Sequence, residues 1–218
     1  VFLLNAVEDG HGGLEHRAST SLLCSRRDLP QSGVKEATEG YRTFLGLASH
    51  EYFHAWNVKR IKPQAFTPYA LDRENYTALL WAFEGITSYY DDLALLRSGV
   101  IDAESYLELL GRTASAVLRT PGRRVQSVAD ASFDAGIKYY RPDENTPNAG
   151  VSYYAKGALV ALALDLTLRR DGSSLDALMR ELWRRHGETG VGVPEDGIAR
   201  LASALAGRDL SGFFAAFV

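Results

Sequence analysis

Two histidines four residues apart flank a glutamate in His50-Glu51-Tyr52-Phe53-His54. In a helix this spacing puts both imidazoles on one face, one turn apart, with Glu51 leaning over the same site. Such a pair can share one metal ion, and a neighbouring carboxylate can act as a general base, so the chemistry the stretch implies is metal-assisted hydrolysis, with zinc the expected ion. The bland alternative is a packed helix that matches by chance, since the pattern fixes only three residues. Further groups that the chemistry requires occur downstream.

A catalytic zinc takes three protein ligands and keeps one position open. Glu84 is the candidate third ligand. It shares a helical stripe with Leu80, Thr87, Asp91 and Leu95, so it points where apolar residues point, and an inward carboxylate must be paired, protonated or bound to metal. Pairing to an Arg or Lys is the alternative. Ser88 and Asp91, beyond Glu84 on the same helix, are candidates to orient the imidazoles from behind. The oxygen that gains charge during carbonyl attack needs a donor, and Tyr153 or Tyr154, opening an apolar helix, offers a protonated phenol. Packing alone would also explain a tyrosine there.

These residues must be positioned by a chain of 218 residues, 46% hydrophobic and 23% charged. That is enough for a full core, as one globular domain or a tight pair of subdomains. The net charge of -3 comes without a basic stripe, which argues against nucleic acid and anionic membrane. The apolar run from Gly157 to Leu168 is broken by Asp165 and reads as a buried helix rather than a membrane span. Cys24 is the single cysteine and reads as a small core hydrophobe, leaving cytoplasm or periplasm open. The chain opens on Val1 within an apolar run and is expected to be a soluble piece of a longer protein.

In order, Val1 to Val7 and Leu14 to Ser25 read as two strands joined by turn residues 9–13, within a β part covering 1–34. Alternation puts Glu15, Arg17 and Ser19 on one face and Leu14, His16 and Ala18 on the other, as in an edge or cleft-lining strand. Residues 35–218 read as helical. Apolar spacing predicts helices over Val34–Val58, Arg73–Arg97 capped by Asp72, Asp102–Leu118, Val151–Arg170, Leu175–His186, Pro194–Ala206 and Leu210–Phe217. The connection from Arg119 to Gly150 is too long to be structureless and is expected to hold a helix near Ala129–Tyr140 and to cover a cleft. The fold class is therefore mainly α with a small N-terminal β part, α+β.

His50-Glu51-x-x-His54-x-Trp56, Glu84-Gly85 and Tyr154-Ala155-Lys156-Gly157 resemble, in order, the signatures of the gluzincin metallopeptidases, above all the aminopeptidase N family. Gly12-Gly13-Leu14-Glu15-His16 with Arg17-Ala18-Ser19-Thr20 is most similar to the glycyl aminopeptidase family within that group. The resemblance implies a thermolysin-like catalytic domain with one zinc ion on His50, His54 and Glu84, Glu51 as base, and Tyr154, or else Tyr153, as oxyanion donor. It implies that Glu15 binds the free amino group of a peptide substrate, and that small N-terminal residues, glycine or alanine, are released. It also implies a bacterial source, with an N-terminal β domain and a C-terminal PDZ domain in the longer protein. Two features depart from the pattern. His16 stands where aminopeptidase N has Asn, and Glu84 lies farther from His54 than in thermolysin. The competing readings are an endopeptidase with the same metal chemistry and a catalytically silent peptide-binding module.

Overall fold

The computed structural model describes residues 1–34 and 37–218. Its strands are β1 (Phe2–Val7), β2 (Gly12–Glu15) and β3 (Thr20–Ser25), in the order β1-β3-β2, with β1 parallel and β2 antiparallel to β3. The second apolar stretch is thus two strands, not one. His16 to Ser19 make a turn closed by the His16 amide on the Ser19 carbonyl, and the Thr20 hydroxyl donates to the Leu14 carbonyl. The expected facing of His16, Arg17, Ala18 and Ser19 falls away with that turn. Leu14 faces solvent, Glu15 is half-buried, and β2 is an edge strand. Thr20, Leu22 and Cys24 alternate inward along β3, and Cys24 is fully buried, as a core hydrophobe.

Nine helices follow among the described residues. They are α1 (Glu39–Phe53), α2 (Ile86–Arg97), α3 (Ala103–Arg119), α4 (Val128–Phe133), α5 (Thr146–Ala149), α6 (Ala155–Arg170), α7 (Leu175–Leu182), α8 (Gly197–Ala206) and α9 (Ser211–Phe217). The mainly helical class with a small β part is as the sequence implies. Helix α1 starts after Thr38, whose hydroxyl accepts from the Tyr41 amide, rather than at Val34. Positions 35 and 36, where the β and helical parts were expected to meet, lie outside the described residues.

The helix expected from Arg73 begins only near Leu80, and Asp72 caps no helix among the described residues. The Asn75 side chain instead binds the amide and carbonyl of Ala70, tying 70–75 into a loop. Side chains that satisfy backbone groups locally compete with helix in this way. Helix α8 starts at Gly197 rather than Pro194, and the Glu195 carboxylate ahead of it accepts from the Thr77 hydroxyl and the Ala78 amide. Val151 to Tyr154 precede α6 rather than forming its first turn. The helix expected near Ala129–Tyr140 is present as α4 and a wide turn over Ala135–Tyr139.

Helix α6 runs through the core, burying Ala161, Leu164 and Leu168, and its Asp165 is satisfied by the Tyr89 hydroxyl, Arg169 and the Leu175 amide. The segment Trp81–Gly85 is a π-helical turn leading into α2. A Cβ at Gly85 would lie 2.5 Å from the Gly157 backbone, and one at Gly157 would lie 2.9 Å from Gly85 Cα. The two backbones therefore touch, which only glycine allows, and the contact holds the turn carrying Glu84 against the start of α6. Gly157→Ala is expected to cost about 1–3 kcal/mol by forcing the backbones apart, read as a lower denaturant midpoint. Gly111→Ala, on α3 with nothing within 4 Å of the added atom, should stabilise by about 0.5–1 kcal/mol.

Candidate metal centre

His50 and His54 lie at the C-terminal end of α1, and Glu84 reaches them from the π-helical turn. Glu84 Oε2 is 3.3 Å from His50 Nε2 and 3.2 Å from His54 Nε2. One ligand atom from each residue lies within 4.8 Å of the others, a grouping suited to a metal ion. A π-helical turn adds a residue to the helical ladder and re-aims a side chain, which is why such turns recur at functional sites. Here it aims the carboxylate.

Each imidazole is fixed from behind. His50 Nδ1 is 3.2 Å from Asp91 Oδ2, and His54 Nδ1 is 2.8 Å from the Asn57 carbonyl. With Nδ1 engaged outward, both Nε2 atoms are left facing Glu84, the arrangement that orients histidine ligands. Of the two residues expected behind the imidazoles, Asp91 is in place. Ser88 makes no hydrogen bond to either imidazole among the described residues.

Asn57 was not legible as part of the site. Its side-chain amide donates to the carbonyls of Ala82 and Phe83 and to the Thr87 hydroxyl, so one residue ties the His54 side to the turn that bears Glu84. The chain reverses at once after it, and Val58 takes φ 120°, a costly conformation for a β-branched residue. No local signature marks an asparagine three residues past a histidine.

Charges in the ring are strongly coupled. Burial disfavours the His50 imidazolium, but hydrogen bonds to Asp91 and Glu84 outweigh it and hold His50 up at about 10. Burial also pushes Glu84 up, yet the two histidines outweigh it and hold the carboxyl at about 2. Glu84 stays ionised between two groups that favour positive charge. A cation of the right size serves the same electrostatic role, so the donor set of two imidazoles and one carboxylate fits zinc.

Glu51 is buried, and its Oε2 has no hydrogen-bond partner among the described residues. Burial pushes its carboxyl up, opposed by His54 and His50. Its other oxygen lies where a Cβ on Gly13 would fall, 2.1 Å away, so β2 passes the base with bare backbone. A cleft of about 710 Å³ is lined by Gly13, Glu15, Glu51, Glu84, Tyr140 and Tyr154 among others. A cleft of about 750 Å³ under the connection between α3 and α6 gathers no comparable set of groups.

The two tyrosines separate. Tyr154 borders the cleft and stacks on His50 with ring centres 6.2 Å apart. Burial and then the charge of Glu84 push its phenol above the usual range, so it keeps its proton. Tyr153 is 1% exposed and its hydroxyl donates to Tyr140. Glu15 also borders the cleft, with its Oε1 3.0 Å from Lys59 Nζ. Neither Lys59 nor Tyr140 was legible in the sequence, since both are common residues brought in from separate loops.

Because Asp91 and Glu84 hold the His50 imidazole up at about 10, uptake of a metal ion by these residues is expected to release protons. Affinity is expected to rise steadily from about pH 6 to about pH 8. Calorimetry in two buffers of different ionisation enthalpy checks the released protons, and pH-independent uptake would contradict the coupled ring.

Residues 43–160 match the family model of the M61 glycyl aminopeptidases. The crystal structure of an aminopeptidase N family protein from Idiomarina loihiensis superposes on all of this chain with a TM-score of 0.96 and 49% sequence identity. The chain spans 38% of that protein's length. No curated protein gives a significant match. No helix of the described residues is long and apolar enough to cross a membrane. With the matched region enclosing His50 to Tyr154 and half of all residues shared with a solved relative, the chain belongs to the M61 glycyl aminopeptidase family.

Proposed function

We propose that this chain is the catalytic domain of a zinc aminopeptidase that releases small N-terminal residues, glycine or alanine, from peptides with a free N-terminus. The observation that carries the reading is Glu51, a buried carboxylate with an oxygen that has no hydrogen-bond partner among the described residues, one position from His50 in the His50, His54 and Glu84 donor set. One zinc ion per chain, held by those three residues, supplies Lewis acidity that acidifies water and polarises a carbonyl. Glu51 takes the proton from the attacking water and delivers it to the departing amine, a task suited to a carboxyl whose affinity for protons is raised by burial. Tyr154, protonated and on the cleft wall, donates to the oxygen that gains charge. Tyr153 is the weaker candidate, since its proton is already engaged by Tyr140.

An extended peptide pairing with the outer edge of β2 would add a strand and bring its amino group toward Glu15. Glu15 lies outside the family-matched region, so its part rests on its place on the cleft wall. The small-residue preference rests on the family's name. The second reading is an endopeptidase in which Glu15 is structural, favoured by the ammonium of Lys59 already seated on that carboxylate. A silent peptide-binding module has no use for a buried base.

Glu51→Gln is expected to keep zinc and lose hydrolysis, while Glu84→Ala should lose the metal. Zinc content and turnover of a short alanine-initiated peptide measure both, and near-normal turnover in Glu51→Gln would refute the assigned base. The same peptide with its amino group acetylated should be cleaved about tenfold to 150-fold more slowly if Glu15 holds the ammonium, the loss of a charged hydrogen bond being worth about 1.5–3 kcal/mol. Equal rates would select the endopeptidase.

A further inference from the structure

Tyr154 does not stand alone in the cleft. Its hydroxyl oxygen is 2.9 Å from that of Tyr140, and the Tyr153 hydroxyl donates to the same Tyr140 oxygen across 3.3 Å. Three phenols therefore meet at Tyr140. That residue follows the wide turn Ala135–Tyr139, whereas Tyr153 and Tyr154 immediately precede α6. The aromatic rings fix the meeting point, with Tyr139 packed 4.9 Å from Tyr153 and 5.8 Å from Tyr154.

A phenol has one proton to give and two lone-pair directions in which to accept. Tyr153 is buried and gives its proton to Tyr140. Tyr140 still has its own proton, and the Tyr154 oxygen lies at hydrogen-bond distance. If Tyr154 gave its proton to Tyr140 instead, it would present only lone pairs to the cleft and would repel a developing oxyanion. The state that can stabilise negative charge is the one in which Tyr140 donates to Tyr154 and Tyr154 donates into the cleft. Donors in such a chain also polarise one another, by about 10–30% per bond.

We infer that the Tyr153–Tyr140–Tyr154 hydroxyl chain sets the direction of the Tyr154 proton, which makes Tyr140 a positioning residue for turnover. The inference rests on the reading of Tyr154 as oxyanion donor. Tyr140 lies on the connection between α3 and α6, so the donor on the α6 side of the cleft is completed by a residue from that separate segment. The connection thereby contributes to the chemistry.

The test is a double-mutant cycle on the purified protein, with kcat and KM measured on a short free-amine peptide. Tyr140 is 62% exposed, so Tyr140→Phe removes one oxygen without opening the core, and its melting temperature should fall by no more than the few degrees that loss of the Tyr153 hydrogen bond entails. The expected loss is about fivefold to tenfold in kcat with KM unchanged, as for one hydrogen bond made in the transition state. Tyr153→Phe, one bond farther back, should lower kcat about twofold to threefold. In a Tyr154→Phe background, itself about a hundredfold slow, Tyr140→Phe should cost nothing more. Wild-type kcat in Tyr140→Phe, the same loss in both backgrounds, or a loss confined to KM would each overturn the positioning role while leaving Tyr154 in place. Unchanged kcat in Tyr154→Phe would overturn the donor assignment and the relay together, so the two failures are told apart.

Discussion

A charged carboxylate between two imidazoles is costly to bury unless its partners are themselves held in place. Glu84 is in that position, and most of the surrounding architecture can be understood as restraint on the three groups involved. Asp91 and the Asn57 carbonyl engage the outer nitrogens of the histidines, so that neither ring can turn its inner nitrogen away. Asn57 also binds the carbonyls of Ala82 and Phe83. The two sides of the site are fastened to one another directly rather than through the bulk of the core.

Irregular backbone concentrates around this ring. The π-helical turn bears Glu84, Val58 adopts a strained φ just after Asn57, and Gly85 meets Gly157 with no side chain between them. Each departure sacrifices ordinary helical or packing energy for the position of one group, as is common where a fold serves a site. The glycine contact is the longest lever. It sets how near α6 comes to the π-helical turn, and therefore how near Tyr154 comes to Glu84.

The sequence makes the candidate ligands legible because the helical period alone aligns His50 with His54, and because Glu84 interrupts an apolar stripe. It makes the broad class legible for the same reason, since amphipathic periods survive whatever packs against them. The boundaries of α1, α2 and α8 depend on contacts that apolar periodicity does not record: Thr38 caps α1 at the Tyr41 amide, Asn75 closes a loop on Ala70, and Glu195 accepts from Thr77 and Ala78 far away in the chain. The split of Leu14–Ser25 into β2 and β3 is invisible to alternation, which continues in phase across the turn. Asn57, Lys59 and Tyr140 act through distances set by tertiary packing, and no local spacing records those distances.

The sheet order leaves β2 with one edge unpaired by β3, on the strand that borders the cleft. Side chains and hydrogen-bonding groups on a strand repeat every two residues, a step of about 6.8 Å. A peptide that pairs with that edge cannot slide continuously; it can only jump by whole steps, and a one-residue slip would turn every side chain over. Gly13, pressed against Glu51, fixes the phase of that ladder relative to the base. On the proposed mode of binding the strand would work as a ruler with coarse graduations, the position of the cut being counted in backbone pairs from an amino end held at Glu15.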